Sequence, residues 1–263
     1  MRVPRPLAAV LLAAASLLAL AVPAQAAPGK YVALGDSYSS GLGAGAYGTS
    51  GDCKRSAYAY PQLWANALGP SAFSFAACSG AQTANVLNSQ ISAVTADTAL
   101  VTVSIGGNDA GFSDVMIDCN LGSDSTCVER NRQAQEFART VLPGRLDQVY
   151  SAIRSRAPSA RVIVVGYPRM YQLGGSCWVG LSETKRRAIN TSSDVLHQVI
   201  SGRAAAFGYG YLNAQTSFAG HEICASGTRW INSVNWGAIE ESYHPNSAGQ
   251  NGGYYAALRA ITG

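Results

Sequence analysis

Two short apolar runs, each stopping at a glycine followed by small polar residues, constrain this chain most. Lys30–Leu34 ends at Gly35-Asp36-Ser37, and Ala99–Ile105 (Ala-Leu-Val-Thr-Val-Ser-Ile) ends at Gly106-Gly107-Asn108-Asp109. Unbroken runs of this length, rich in β-branched residues, read as strands buried on both faces. Phe73–Ala77 and Arg161–Val165 repeat the pattern, and Tyr209–Leu212 is a weaker fifth run. Between them lie helical periodicities. Leu142, Leu146, Val149, Tyr150 and Ile153 fall on one helix face, 181–206 reads as a second helix, and 248–261 reads as a last one capped by Asn246 or Ser247. Short apolar strands alternating with helices predict an α/β protein, a doubly wound parallel sheet of about five strands with helices on both faces. In such sheets ligands gather beyond the carboxyl ends of the strands, so the Gly-Asp-Ser and Gly-Gly-Asn-Asp clusters should face one rim. The Gly/Ser-rich stretch 39–51 is then a loop beside that rim.

Composition narrows the class further. Only 13% of the 263 residues are charged and 48% are hydrophobic, which excludes a disordered chain, a collagen and a coiled coil. Arg2 and Arg5 precede an apolar run from Leu7 to Val22, and Ala24-Gln25-Ala26 supplies a small-x-small cleavage pattern. Residues 1–26 are therefore expected to be a signal peptide and 27–263 a single domain secreted without a stable membrane anchor. The run is shorter than the roughly 20 residues of a spanning helix. Without Arg2 and Arg5, 17 of the 19 basic residues face 15 acidic ones. No basic face is concentrated enough for a nucleic-acid partner.

Six cysteines in an exported chain imply disulfides, and no Cys-x-x-Cys spacing points to metal or redox work. Six cysteines allow fifteen pairings. The nearest-neighbour scheme, Cys53 with Cys78, Cys119 with Cys127 and Cys177 with Cys224, closes the shortest loops and is the expected one.

A serine nucleophile needs a base, donors for an oxyanion and a turn that presents its hydroxyl at a strand end, and Ser37 is placed that way. Of the three histidines, His197 falls inside a predicted helix and His221 in a loop near Cys224. His244 precedes Pro245 and a helix start, where a side chain can be held at a loop rim. Asp36 and Asp109 read as residues that hold their turns. Gly41-x-Gly43-x-x-Ala46 imitates a dinucleotide fingerprint, but it starts several residues past the strand and no acidic residue ends the second strand. Asn190-Thr191-Ser192 matches a glycosylation sequon inside a predicted helix.

Gly35-Asp36-Ser37-Tyr38-Ser39-Ser40-Gly41, Gly80, Gly107-x-Asp109 with Asn108, and His244-Pro245 resemble, in order, the four blocks of the SGNH (GDSL) hydrolases. With the leader and the six cysteines, the chain is similar in particular to secreted actinomycete lipases, esterases and phospholipases. The resemblance implies a three-layer α/β/α, flavodoxin-like fold and a cofactor-free, metal-free carboxylic-ester hydrolase acting as a monomer. It implies Ser37 as nucleophile, His244 as base and then acid, and an oxyanion hole of the Ser37 and Gly80 backbone N–H groups with the Asn108 amide. Three residues before the histidine, where the family usually has Asp, stands Glu241. Either Glu241 or the Ser242 carbonyl then orients His244, with the carbonyl slightly favoured.

An ester substrate needs an apolar groove, for which the loops 44–47 and 167–178 are the sequence candidates. Triacylglycerols, phospholipids cleaved as by a phospholipase A1, short-chain esters and sugar acetates all remain compatible. A secreted carbohydrate-binding module is the competing reading of the thirteen tyrosines and four tryptophans. Such a module has no use for serine, glycine, asparagine and histidine at four strand ends.

Overall fold

The computed structural model describes residues 28–263 apart from 175–176 and 178–179. The expected signal peptide, 1–26, Ala27 and Trp178 lie outside the described residues. Five strands, β1 (Lys30–Gly35), β2 (Phe73–Phe75), β3 (Thr98–Ser104), β4 (Arg161–Val165) and β5 (Gly210–Leu212), pair in parallel in the order β2-β1-β3-β4-β5. This is the flavodoxin-like order of the doubly wound class, in which the winding reverses between β1 and β3 and opens a crevice at their carboxyl ends. The fold class expected from the sequence is the one observed.

The helices are α1 (Ser37–Ser40), α2 (Tyr60–Leu68), α3 (Thr83–Asn85), α4 (Phe112–Leu121), α5 (Asp124–Thr140), α6 (Leu142–Arg156), α7 (Glu183–Ala206), α8 (Ala214–Ser217) and α9 (Ala256–Thr262). α4, α5, α6 and α7 pack in succession, while α2, α8 and α9 gather round a wide helical segment, Gly249–Tyr255. With both sheet faces covered, Tyr31, Val32, Ala33 and Leu34 of β1 are all fully buried, which is why the run carries no polar alternation. Side chains the size of Val32 and Leu34 each contribute about 1.5–3 kcal/mol through burial.

Two boundaries depart from expectation for clear local reasons, and one helix was not foreseen. β2 stops at Phe75 because the N–H groups of Ala76 and Ala77 both turn to the carbonyl of Ala33, at 2.9 and 3.0 Å. The C-terminal helix opens as a wide turn because its glycines admit aromatic rings: a Cβ at Gly253 would lie 2.3 Å from the Phe218 ring. Of the two candidate caps, Asn246 accepts from the Gly249 N–H at 3.0 Å. α5, absent from the sequence reading, buries only Cys127, Asn131 and Ala138, too few apolar positions to set a period.

All three disulfides form in the nearest-neighbour scheme. Cys53–Cys78 ties the loop after α1 to the turn after β2, and Cys119–Cys127 joins α4 to α5. Each contributes typically ~2–4 kcal/mol. Among the described residues no helix is long and apolar enough to cross a membrane.

Candidate active site

Ser37 opens α1 immediately beyond β1, and the turn that presents it is fixed from every side. Gly35 has φ +126° and lies so close to β3 that a Cβ would meet the Ser104 carbonyl at 2.3 Å, so only glycine fits. The Gln90 amide grips the Gly35 backbone twice, accepting its N–H at 2.7 Å and donating to its carbonyl at 2.8 Å. Asp36 caps α1: its carboxylate accepts from the Tyr38 N–H at 3.0 Å, from Ser104 Oγ at 2.9 Å and from the Tyr167 hydroxyl. Burial pushes its carboxyl up to about 6 against the pull of those three donors. Asp36 thus spends its oxygens holding the turn.

The imidazole comes from a strandless loop at the other end of the chain. His244 Nε2 lies 2.8 Å from Ser37 Oγ, and its Nδ1 lies 2.9 Å from the Ser242 carbonyl. A carbonyl only accepts, so Nδ1 carries the proton and the Nε2 lone pair faces the hydroxyl. Glu241 turns away. Its carboxylate accepts from the Tyr47 hydroxyl at 2.5 Å and from the Asn235 amide at 3.4 Å. Asn232 pairs its backbone with Tyr243 and His244, each at 2.9 Å, while its amide donates to Gly43 at 3.0 Å. Tyr243 takes a left-handed φ of +64°, a strained conformation for a tyrosine, and Tyr38 of α1 donates to its carbonyl at 2.7 Å. His244 is only 7% exposed, beside the rings of Tyr38 and Phe112. That burial pushes its pKa down to about 4, offset only in part by the Ser242 carbonyl. An unperturbed imidazole would titrate near ~6.5.

The turn beyond β3 completes the rim. Asn108 donates one amide N–H to the Ala81 carbonyl at 3.0 Å, and the second finds no acceptor among the described residues. Asp109 accepts from the Thr83 N–H at 2.9 Å, the Thr83 hydroxyl at 2.6 Å and Arg145 at 3.0 Å, locking this turn to the one after β2. Ser37 and Asn108 border one cavity, and Gly80 sits next to Ala81, whose carbonyl Asn108 holds.

That cavity is walled by Phe112, Tyr167, Met170 and Leu196. A second shares Phe112, Met170 and Leu196 and extends between α4, α5 and α7 past Val115, Met116 and Ala138. Of the two loops expected to form a groove, 167–178 supplies Tyr167 and Met170. The loop 44–47 does not line it: Tyr47 accepts from the Gly43 N–H at 3.0 Å and donates to Glu241, so this loop braces the histidine instead.

Gln90 and Asn232 were not singled out in the sequence, and Tyr47 and Tyr167 entered only as ends of the two loops expected to form a groove. Tyr167 stood one residue past Gly166 at the end of β4, where the strand-end rule would have found its role; Gln90, closing the helical segment Val86–Gln90, and Asn232, in a loop, carry no such mark. His197 contacts the Tyr211 hydroxyl at 3.0 Å, and His221 stacks on Trp230 with ring centroids 3.5 Å apart, so neither reaches Ser37. Asn190 is buried, and its amide clamps the Tyr171 backbone at 3.1 and 2.7 Å.

Residues 33–251 match the model of the GDSL-like Lipase/Acylhydrolase family. The chain is 54% identical to Lipase 1 of Streptomyces coelicolor, over 96% of this chain and 95% of that protein. The crystal structure of phospholipase A1 from Streptomyces albidoflavus NA297 superposes with a TM-score of 0.87 at 54% identity, covering 89% of this chain and 99% of the other. That of an extracellular lipase from Streptomyces rimosus does so with a TM-score of 0.87 at 51% identity, covering 89% and 100%.

Proposed function

The chain belongs to the GDSL-like lipase/acylhydrolase family and is a carboxylic-ester hydrolase, and from that premise we propose that it cleaves fatty-acyl esters through an acyl-enzyme on Ser37. One observation carries the reading: the hydrogen-bonded line from Ser37 Oγ through His244 to the Ser242 carbonyl, at 2.8 and 2.9 Å. Ser37 Oγ attacks the ester carbonyl while Nε2 takes its proton. The resulting oxyanion accepts from the Ser37 and Gly80 N–H groups and from the Asn108 amide, and each such donor is typically worth about 3 kcal/mol in the transition state. His244 then protonates the departing alcohol, leaving the acyl group on Ser37. Water repeats the cycle and releases the acid. A carbonyl fixes the tautomer but stabilises imidazolium less than a carboxylate does, so the surrounding burial keeps the ring neutral between steps.

The acyl chain lies in the cavity walled by Phe112, Met170 and Leu196. Each buried methylene adds ~0.8 kcal/mol, nearly fourfold in kcat/KM per carbon until the space is full. The decisive test labels the enzyme with a long-chain p-nitrophenyl phosphonate and maps the adduct by mass spectrometry, with kcat/KM measured across p-nitrophenyl esters of rising length. An adduct elsewhere than Ser37 refutes the mechanism. A preference for acetyl esters refutes the fatty-acyl assignment and leaves a short-chain or sugar-ester esterase.

A second reading, phospholipase A1 activity, is favoured by the likeness to the Streptomyces albidoflavus enzyme. Release of the sn-1 chain from phosphatidylcholine decides it. Secretion after loss of 1–26 is supported by the cleavage pattern, the three disulfides and the likeness to an extracellular lipase. The secreted protein should begin at Ala27 by N-terminal sequencing. All five catalytic groups come from one chain, which supports a monomer, and sedimentation velocity measures that.

A further inference from the structure

Most of the large apolar side chains left exposed among the described residues fall on two segments. α4 carries Ile117 and Leu121, 54% and 80% exposed, and the loop leading to His244 carries Trp236 and Ile239, 85% and 59% exposed. Residues four apart on a helix share a face, so Ile117 and Leu121 project together. The two segments meet. The Tyr243 hydroxyl donates to Asn120 at 2.9 Å, and Asn120 and Trp236 border one surface cavity. Both segments also end at the catalytic site, since Phe112 at the start of α4 walls the Ser37 cavity and the loop terminates in His244.

The charges beside this face are mostly engaged. Arg130 holds Asp114 at 2.7 Å and Asp118 at 3.3 Å, Lys54 lies 3.8 Å from Glu240, and Glu241 is bonded to Tyr47. A soluble ester needs no such surface around the site. A lipid layer does, because its ester bonds lie at the boundary where acyl chains begin.

We propose that Ile117, Leu121, Trp236 and Ile239 form a docking face for a neutral or zwitterionic lipid surface, setting the mouth of the Ser37 cavity against the layer. The inference rests on the fatty-acyl reading above. Attraction comes from apolar contact rather than from charge, so it survives salt and gains nothing from anionic lipid.

The experiment measures partitioning of the secreted Ser37→Ala protein, residues 27–263, onto phosphatidylcholine vesicles by co-sedimentation, so that no lipid is consumed. Trp236→Ser combined with Leu121→Ser should weaken partitioning tenfold or more at both low and high salt. The same pair in the active enzyme should leave the rate on soluble p-nitrophenyl butyrate within twofold, which also shows that it folds. As a second measurement, brominated acyl chains should quench a tryptophan signal that Trp236→Phe removes. Partitioning unchanged in the double variant, or abolished by salt, overturns the docking face. Partitioning that depends on these residues without phosphatidylcholine hydrolysis upholds the face and refutes only the phospholipid reading, while fast cleavage of soluble long-chain esters without partitioning refutes the face and upholds the fatty-acyl reading.

Discussion

The turn that carries Ser37 and the loop that carries His244 solve the same problem by different means. The serine turn is an extension of the sheet: Gly35 pairs with Ser104, Gln90 grips its backbone, and Asp36 is buried among three donors. The histidine loop lies outside the sheet and is held by an isolated antiparallel bridge of Pro245 with Ile231, by backbone bonds to Asn232, by Tyr38, and by Glu241 reaching Tyr47. Asp36 in the one region and Glu241 in the other both leave the imidazole untouched. Each braces its own segment, and the imidazole is oriented by a neutral carbonyl. A base of this kind depends on burial, and on the loop's geometry, more than on a charge.

The comparison can be broken most decisively at the pair itself. Ser37→Ala or His244→Ala should each lower kcat by about 10⁶-fold with the thermal midpoint nearly unchanged, as a unit that works together would show. Retained activity in His244→Ala, with loss in His197→Ala or His221→Ala, would move the base elsewhere. Asn108→Ala should cost 10²–10³-fold in kcat with little change in KM, the signature of a donor used only in the transition state. Glu241 sharpens the contrast. A triad acid is worth about 10⁴-fold, whereas a residue that braces the loop through Tyr47 should cost under about tenfold in Glu241→Ala, and Tyr47→Phe should reproduce most of that loss. A several-thousand-fold effect in the folded variant would restore the carboxylate to the triad.

The smallest effect is a position on a pH axis. With His244 held near 4, the base stays neutral well below the ordinary histidine range, so kcat/KM should fall on acidification through about pH 4. The unfolded chain takes that proton first, near ~6.5, so this histidine draws down native stability as pH falls from there toward 4. Asp36 acts in the opposite direction, binding its proton more tightly in the folded state up to about 6. An acidic limb near 6 that disappears in Asp36→Asn would show that the serine turn, not the histidine loop, yields first.

Legibility in the sequence followed the same division. The serine and asparagine turns were visible because a buried parallel strand is an unbroken apolar run, and such runs end at the ligand rim. His244 was found by elimination among three histidines. The partner of its Nδ1 stayed open because a backbone carbonyl has no residue signature. The cavity was misplaced in part because its walls, Phe112, Met170 and Leu196, come from distant stretches whose meeting is decided only by how α4 and α7 cross the sheet. α5 was invisible for a related reason: its inward face is made of Cys127, Asn131 and Ala138, and Asn131 is buried through hydrogen bonds to Cys127 and Ser192 rather than through hydrophobicity.

The 207 residues that separate Ser37 from His244 bear on how the enzyme is made. The last strand of the sheet closes at Leu212, so a growing chain can assemble its scaffold and its nucleophile turn before the imidazole has been synthesised. Gln250, still later, joins the Tyr38 carbonyl to the N–H of Tyr60, so the final segment also secures the helix that bears the serine. A nascent or truncated chain therefore lacks the imidazole. On the proposed mechanism, a hydrolase made in this order cannot act until its C-terminal tenth has docked.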